Sequence, residues 1–160
     1  MDLPDRIRVA NPEDVADILR MIRALAEYER EPESARATHE QLSAALFGDD
    51  PVASALIAEV DGVPAGFALW YRTFSTWEGV PGLYLEDLFV AEEHRGSGLG
   101  RDLLVALARI AKERGWTRVE WVVLRWNTPS IAFYDSLGAR PLDDWLTYRL
   151  TGSGLDTLAG

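Results

Sequence analysis

Residues 83–111 constrain the fold of this chain more than any other stretch. Residues 83–90 form a largely apolar run of strand length, and Leu99, Leu103, Leu104, Leu107, Ile110 and Ala111 then repeat with helical period up to a C-capping Gly115. Between them stands Arg95-Gly96-Ser97-Gly98-Leu99-Gly100. An apolar strand passing through glycines into an amphipathic helix implies an α/β architecture with the strand covered on both faces. The glycines allow a ligand to approach the backbone closely, and the unpaired N–H groups and positive dipole end of the helix converge on the same point. That arrangement binds phosphate. A dinucleotide fingerprint would follow the first strand of a parallel unit, whereas several elements precede this loop. A P-loop needs Lys then Ser or Thr after its last glycine, and here Arg101 and Asp102 follow Gly100. Arg95 adds a cation beside the loop suited to a pyrophosphate, although a surface charge at that position needs no such explanation.

The flanking sequence fills in a mixed sheet. Asn11-Pro12-Glu13-Asp14 starts a helix whose apolar stripe, Val15, Ile18, Leu19, Ile22, Leu25 and Ala26, ends near Tyr28. Residues 30–37 read as a loop, and Thr38 with Gln41 forms a capping box for a short helix stopped by Gly48. Residues 52–60 and 63–71 read as strands joined by an Asp61-Gly62 turn, residues 72–82 as a loop, and residues 118–124 and 145–150 as further strands. A helix from Pro129 to Leu137 lies between those last two. One domain over residues 1–160 is expected, with 151–160 a frayed tail.

Composition narrows the partners. The chain has 26 acidic and 16 basic residues, a net charge of -10 that disfavours nucleic acid and anionic membranes and favours cationic ligands. It contains no cysteine, which excludes thiolate nucleophiles and disulfides. Without a long apolar run or a signal-like start, the expectation is a cytoplasmic protein.

The loop, together with Tyr84-Leu85-Glu86-Asp87-Leu88-Phe89-Val90, Trp126-Asn127-Thr128-Pro129-Ser130 and Ala132-Phe133-Tyr134, resembles the Gcn5-related N-acetyltransferase (GNAT) superfamily, in particular its diamine (spermidine/spermine) acetyltransferase branch. Ile18-Leu19 and Ala26-Glu27-Tyr28-Glu29 extend the likeness, which runs over residues 5–150. The resemblance implies a mixed, mostly antiparallel central sheet flanked by about four helices. It implies acetyl-CoA as co-substrate, no metal, and a small cationic amine as acceptor. Leu88, Phe89 and Val90 would offer backbone groups to the pantetheine, the loop from Arg95 through Arg101 would hold the pyrophosphate, and Asn127, Thr128, Pro129 and Ser130 would line the far side. Tyr28, Glu29, Glu86, Asp87 and Trp77 would contact the amine. The family also includes many homodimers, and Trp145 and Tyr148 on the last strand are candidates for such an interface.

The chemistry gives two of these residues further roles. An alkyl amine with a pKa near 10.4 must lose a proton before it attacks a thioester, and a departing thiolate near pKa 8.5 must gain one. Adjacent strand residues face opposite sides, so only one of Glu86 and Asp87 should enter the cleft, and the resemblance selects Glu86 as base. Tyr134 matches the family's general acid, although on spacing alone it fits a core stripe with Ile131 and Leu137. Asn127 equally caps the helix at Pro129. One departure stands out: the family usually carries an acidic residue near its tryptophan, where this chain has Phe74-Ser75-Thr76 before Trp77. His94 reads as a solvated loop residue and His39 receives no role. A non-catalytic acyl-CoA sensor and an acetyltransferase of protein amines are the competing functions.

Overall fold

The computed structural model describes residues 2–160. They fall into two compact units, one running to Val122 and the other over Val123–Gly160. In the first, strands β1 (Ile7–Val9), β2 (Ser54–Val60), β3 (Val63–Ser75), β4 (Val80–Val90) and β5 (Val119–Glu120) form one sheet in sequential order. Every pair is antiparallel except β4 with β5. The helices of this unit are α1 (Val15–Tyr28), α2 (His39–Phe47) and α3 (Leu99–Glu113). This is the mixed, mostly antiparallel sheet expected from the sequence.

Strand alternation splits the core into two layers. Ala55 and Ile57 of β2, Phe67 and Leu69 of β3 and Phe89 of β4 join Val15, Ile18 and Met21 of α1 and Leu42 and Leu46 of α2 in one buried cluster. The intervening Leu56, Ala58, Ala68 and Trp70 face the other way, toward α3, which buries Leu99, Leu103, Leu107 and Ile110 against all five strands. At the β2–β3 turn Asp61 and Gly62 both have positive φ, 52° and 76°, the geometry that an Asp-Gly pair supplies in a two-residue hairpin. The Thr38–Gln41 capping box forms as expected.

Three expectations change. Residues 72–82 are not a loop: β3 and β4 stay paired to Ser75 and Val80, and only the residues between them turn. Gly82 lies within β4 because the chain passes close by, since a Cβ there would come 2.9 Å from the Arg118 side chain. The strand expected at 118–124 shortens to the two residues of β5. No strand forms over 145–150 among the described residues; Trp145 to Leu150 have no ladder partner, and a strand needs one. The second unit holds α4 (Thr128–Ser136) and α5 (Gly152–Ala159), and no residue of α5 is buried. No helix of the described residues is long and apolar enough to cross a membrane.

The start of α1 is fixed by charge. Arg8 of β1 grips Asp14 at 2.7 and 2.8 Å and Glu59 of β2 at 2.6 Å, while Asp14 also accepts the Asn11 N–H at 2.7 Å. The Arg8 guanidinium holds the Asp14 carboxyl below the usual carboxylate range. Asp14 is buried, so removing its partner strands a charge. Arg8→Met should lower stability by about 2 kcal/mol in urea unfolding, whereas Arg20→Ala, which breaks an exposed pair with Asp17, should cost under about 0.5 kcal/mol.

Candidate active site

The glycine loop begins where β4 leaves the sheet. A single 3₁₀ turn (Glu92–His94) leads to Arg95, and Gly96 and Gly98 follow with φ of 77° and 87°. Gly98 is the N-cap of α3 in the left-handed conformation, which glycine adopts without strain. No side chain caps α3, although Thr38 caps α2 and Asn127 caps α4. The first amides of α3 are therefore left for a ligand. A Cβ placed on Gly96 would meet open space, so the backbone there is accessible as well. Converging amides beside accessible glycine backbone suit a pyrophosphate.

Arg95 turns away from these amides. Its Nε donates to the Val90 carbonyl at 3.1 Å, and its guanidinium lies 4.9 Å from the ring centre of Tyr28 and 5.9 Å from that of Phe89. The cation expected beside the phosphates thus braces the end of β4 against the last turn of α1. Ser97 donates its hydroxyl to the His94 carbonyl, which gives His94 a part in the loop through its backbone. Arg101 is exposed in the first turn of α3.

Along β4, Leu88, Phe89 and Val90 pair with Ala68, Phe67 and Gly66 of β3. On its other edge β4 meets β5 only at Leu83 and Tyr84. Past that point no strand of the described residues runs along this edge. A ligand with amide groups can pair there in a strand's place, as expected for Leu88 through Val90.

The carboxylates gather around an irregularity that the sequence did not announce. Leu69 pairs with Asp87 and Trp70 with Leu85, so Glu86 is the extra residue of a β-bulge. The bulge breaks the strict alternation on which the expectation of opposite faces rested, and leaves Glu86 exposed and Asp87 half-buried. Asp87 shares a face with Leu69 and feels the charges of both Glu86 and Glu29, the residue that ends α1. Burial first, then those two charges, push its carboxyl up to about 6. Burial also raises the Glu29 carboxyl. Tyr71 and Tyr84 stack across the hairpin at 5.1 Å, and burial and the Glu86 charge raise both phenols. Sequence reasoning missed these two tyrosines. Extending the hairpin past residue 71 would have paired them.

Trp77 is not with this group. It stands in the β3–β4 turn, 90% exposed and about 20 Å along the strand from the bulge. Ser75, where an acidic residue was expected nearby, is buried and accepts the Glu78 N–H with its hydroxyl.

In the second unit Asn127 is buried and its side-chain oxygen accepts the Ser130 N–H at 3.4 Å, with Thr128 and Pro129 in the first turn of α4. Tyr134 is half-buried on this helix, its ring 5.6 Å from that of Phe133.

The model of the Acetyltransferase (GNAT) family matches residues 17–139. The chain belongs to this family. As a GNAT protein it is an N-acetyltransferase. The thialysine N-epsilon-acetyltransferase of Sus scrofa is 37% identical over 96% of both chains. The L-ornithine N5-acetyltransferase of Arabidopsis thaliana is 29% identical over 96% of this chain and 87% of its own. Among solved structures, an integron cassette protein from the mobile metagenome of V. cholerae superposes with a TM-score of 0.80 at 27% identity, over 96% of both chains.

Asp87 makes stability depend on pH in a definite direction. Its folded pKa of about 6 lies above the ordinary 3.8, so the native state holds the extra proton and the wild type loses stability as pH rises from 3.8 to 6. Asp87→Asn should therefore raise stability at pH 7 by roughly 1–3 kcal/mol, and the gain should close by about pH 4 in paired thermal melts.

Proposed function

We propose that this GNAT protein transfers the acetyl group of acetyl-CoA directly to the side-chain amine of a small basic amino acid or short diamine. The observation that carries the substrate class is the group formed by Glu29, Glu86 and Asp87. Three carboxylates held together, one partly protonated at neutral pH, are stabilised by a ligand with more than one cationic nitrogen. The named relatives act on thialysine and ornithine, which fits an acceptor with an amino-acid head and a terminal amine. Ser75, engaged in its own turn, supplies no further carboxylate for a longer polyamine.

Acetyl-CoA supplies an activated acetyl thioester when bound in the cradle of Gly96, Gly98 and the α3 amides. Glu29 holds the amine that does not react. Glu86 and Asp87 take the proton from the reacting ammonium, directly or through a water: burial raises the proton affinity of the Asp87 carboxyl, and Glu86 is open to solvent. Tyr134 donates its phenolic proton to the departing sulfur, a role assigned on the family resemblance. Arg95 and Tyr28 brace the carboxylates against the loop. The reading extends to a homodimer in the cytoplasm, and the exposed Trp145, Leu146 and Tyr148 of the second unit support the dimer.

Thiol release from acetyl-CoA should be measured with thialysine, lysine, ornithine, putrescine and spermidine as acceptors. Basic amino acids or the short diamine should give the highest kcat/KM. Tyr134→Phe should cut kcat about 100-fold with little change in acetyl-CoA affinity. Tight acetyl-CoA binding with no release on any amine would make the protein a sensor and reject the enzyme.

A further inference from the structure

The segment before β1 reaches back across the sheet to the phosphate loop. Arg6 donates from Nε at 3.1 Å and from Nη2 at 2.6 Å to one carboxylate oxygen of Asp102, and from Nη2 at 3.2 Å to the carbonyl of Ser97. The guanidinium therefore ties the middle of the glycine loop to the first turn of α3. Arg109, further along α3, donates to the Asp2 carbonyl at 2.9 Å and holds the same N-terminal segment against the helix. A Cβ on Gly98 would come 3.4 Å from Arg6 Nη2, so the guanidinium lies directly against the loop backbone.

Two physical consequences follow. Fixing the Ser97 carbonyl on Arg6 sets the orientation of the peptide plane it shares with the Gly98 N–H. Asp102, in the first turn of α3, is well placed for the helix dipole but repels any polyanion docking at the same helix end. Its charge is matched by Arg6 at close range, with Asp102 only one-quarter exposed, so the negative potential facing the loop is reduced.

We propose that Arg6 is a positioning residue for coenzyme A binding: it orders the glycine loop through Ser97 and masks the Asp102 carboxylate from the pyrophosphate, without touching the phosphates itself. This rests on the reading of the loop as a coenzyme A cradle.

The test is calorimetric titration of coenzyme A into the full chain and its variants. Arg6→Ala should raise Kd about tenfold, the loss of one charge-assisted tether, while leaving the KM for the amine unchanged. Adding Asp102→Asn to Arg6→Ala should recover at least about threefold, because the unmasked charge is gone. Arg8→Met, which breaks a neighbouring ion pair away from the loop, should lower the unfolding midpoint without moving Kd. The proposal is overturned if Arg6→Ala binds coenzyme A within about twofold of wild type, or if the double variant is no better than Arg6→Ala. It is also overturned if Asp102→Asn alone tightens binding, the mark of a guanidinium that contacts phosphate once released. A wild type that does not bind coenzyme A overturns the cradle itself.

Discussion

The bulge at Glu86 decides what each face of β4 presents. Before it, Leu83 and Leu85 are buried, and Leu85 pairs with Trp70 on the α3 face. After it, Asp87 and Phe89 pair with Leu69 and Phe67 on the α1 face. One inserted residue shifts the alternation by a step, and a strand that packs its odd-numbered residues against one helix delivers the next odd-numbered residue to another. Asp87 thereby enters an otherwise apolar layer, beside the end of α1. Without the bulge, alternation from Leu85 would turn Asp87 toward α3 and Glu86 toward α1.

The same strand ends in the glycine loop, so the acidic group and the loop are set by one element. Arg95 links them: its backbone opens the loop and its guanidinium rests on Tyr28, the neighbour of Glu29. The two features carry opposite electrostatic characters, with like charges crowded at the bulge and uncapped amides at α3. Crowded carboxylates oppose folding, and a site kept at that cost is relieved when a cation binds.

Much of this was legible in the sequence because local chemistry determined it. The Asp61-Gly62 turn, the Thr38–Gln41 cap, the end of α1 at Tyr28 and the glycine-to-helix junction each depend on residues close in the chain. The elements that differed depend on distant partners. Gly82 read as a loop residue because its reason for being glycine, the passage of Arg118, lies far along the chain, just before β5. Residues 145–150 alternate like a strand but lack a ladder to join. The bulge leaves no compositional trace, since Glu86 and Asp87 look like any adjacent pair on an alternating strand. The Arg6 contact spans 91 and 96 residues to its two partners, beyond the reach of any spacing argument.

In the function proposed for this protein, the carboxylates around the bulge receive a cationic amine. Carboxyl carbon chemical shifts of Asp87, followed by NMR across a pH titration with and without a short diamine, test it most directly. Asp87 should titrate near 6 in the free protein and shift downward by about one unit when the diamine is present. An Asp87 that titrates at the ordinary carboxylate value, or whose titration the amine leaves unmoved, would contradict it.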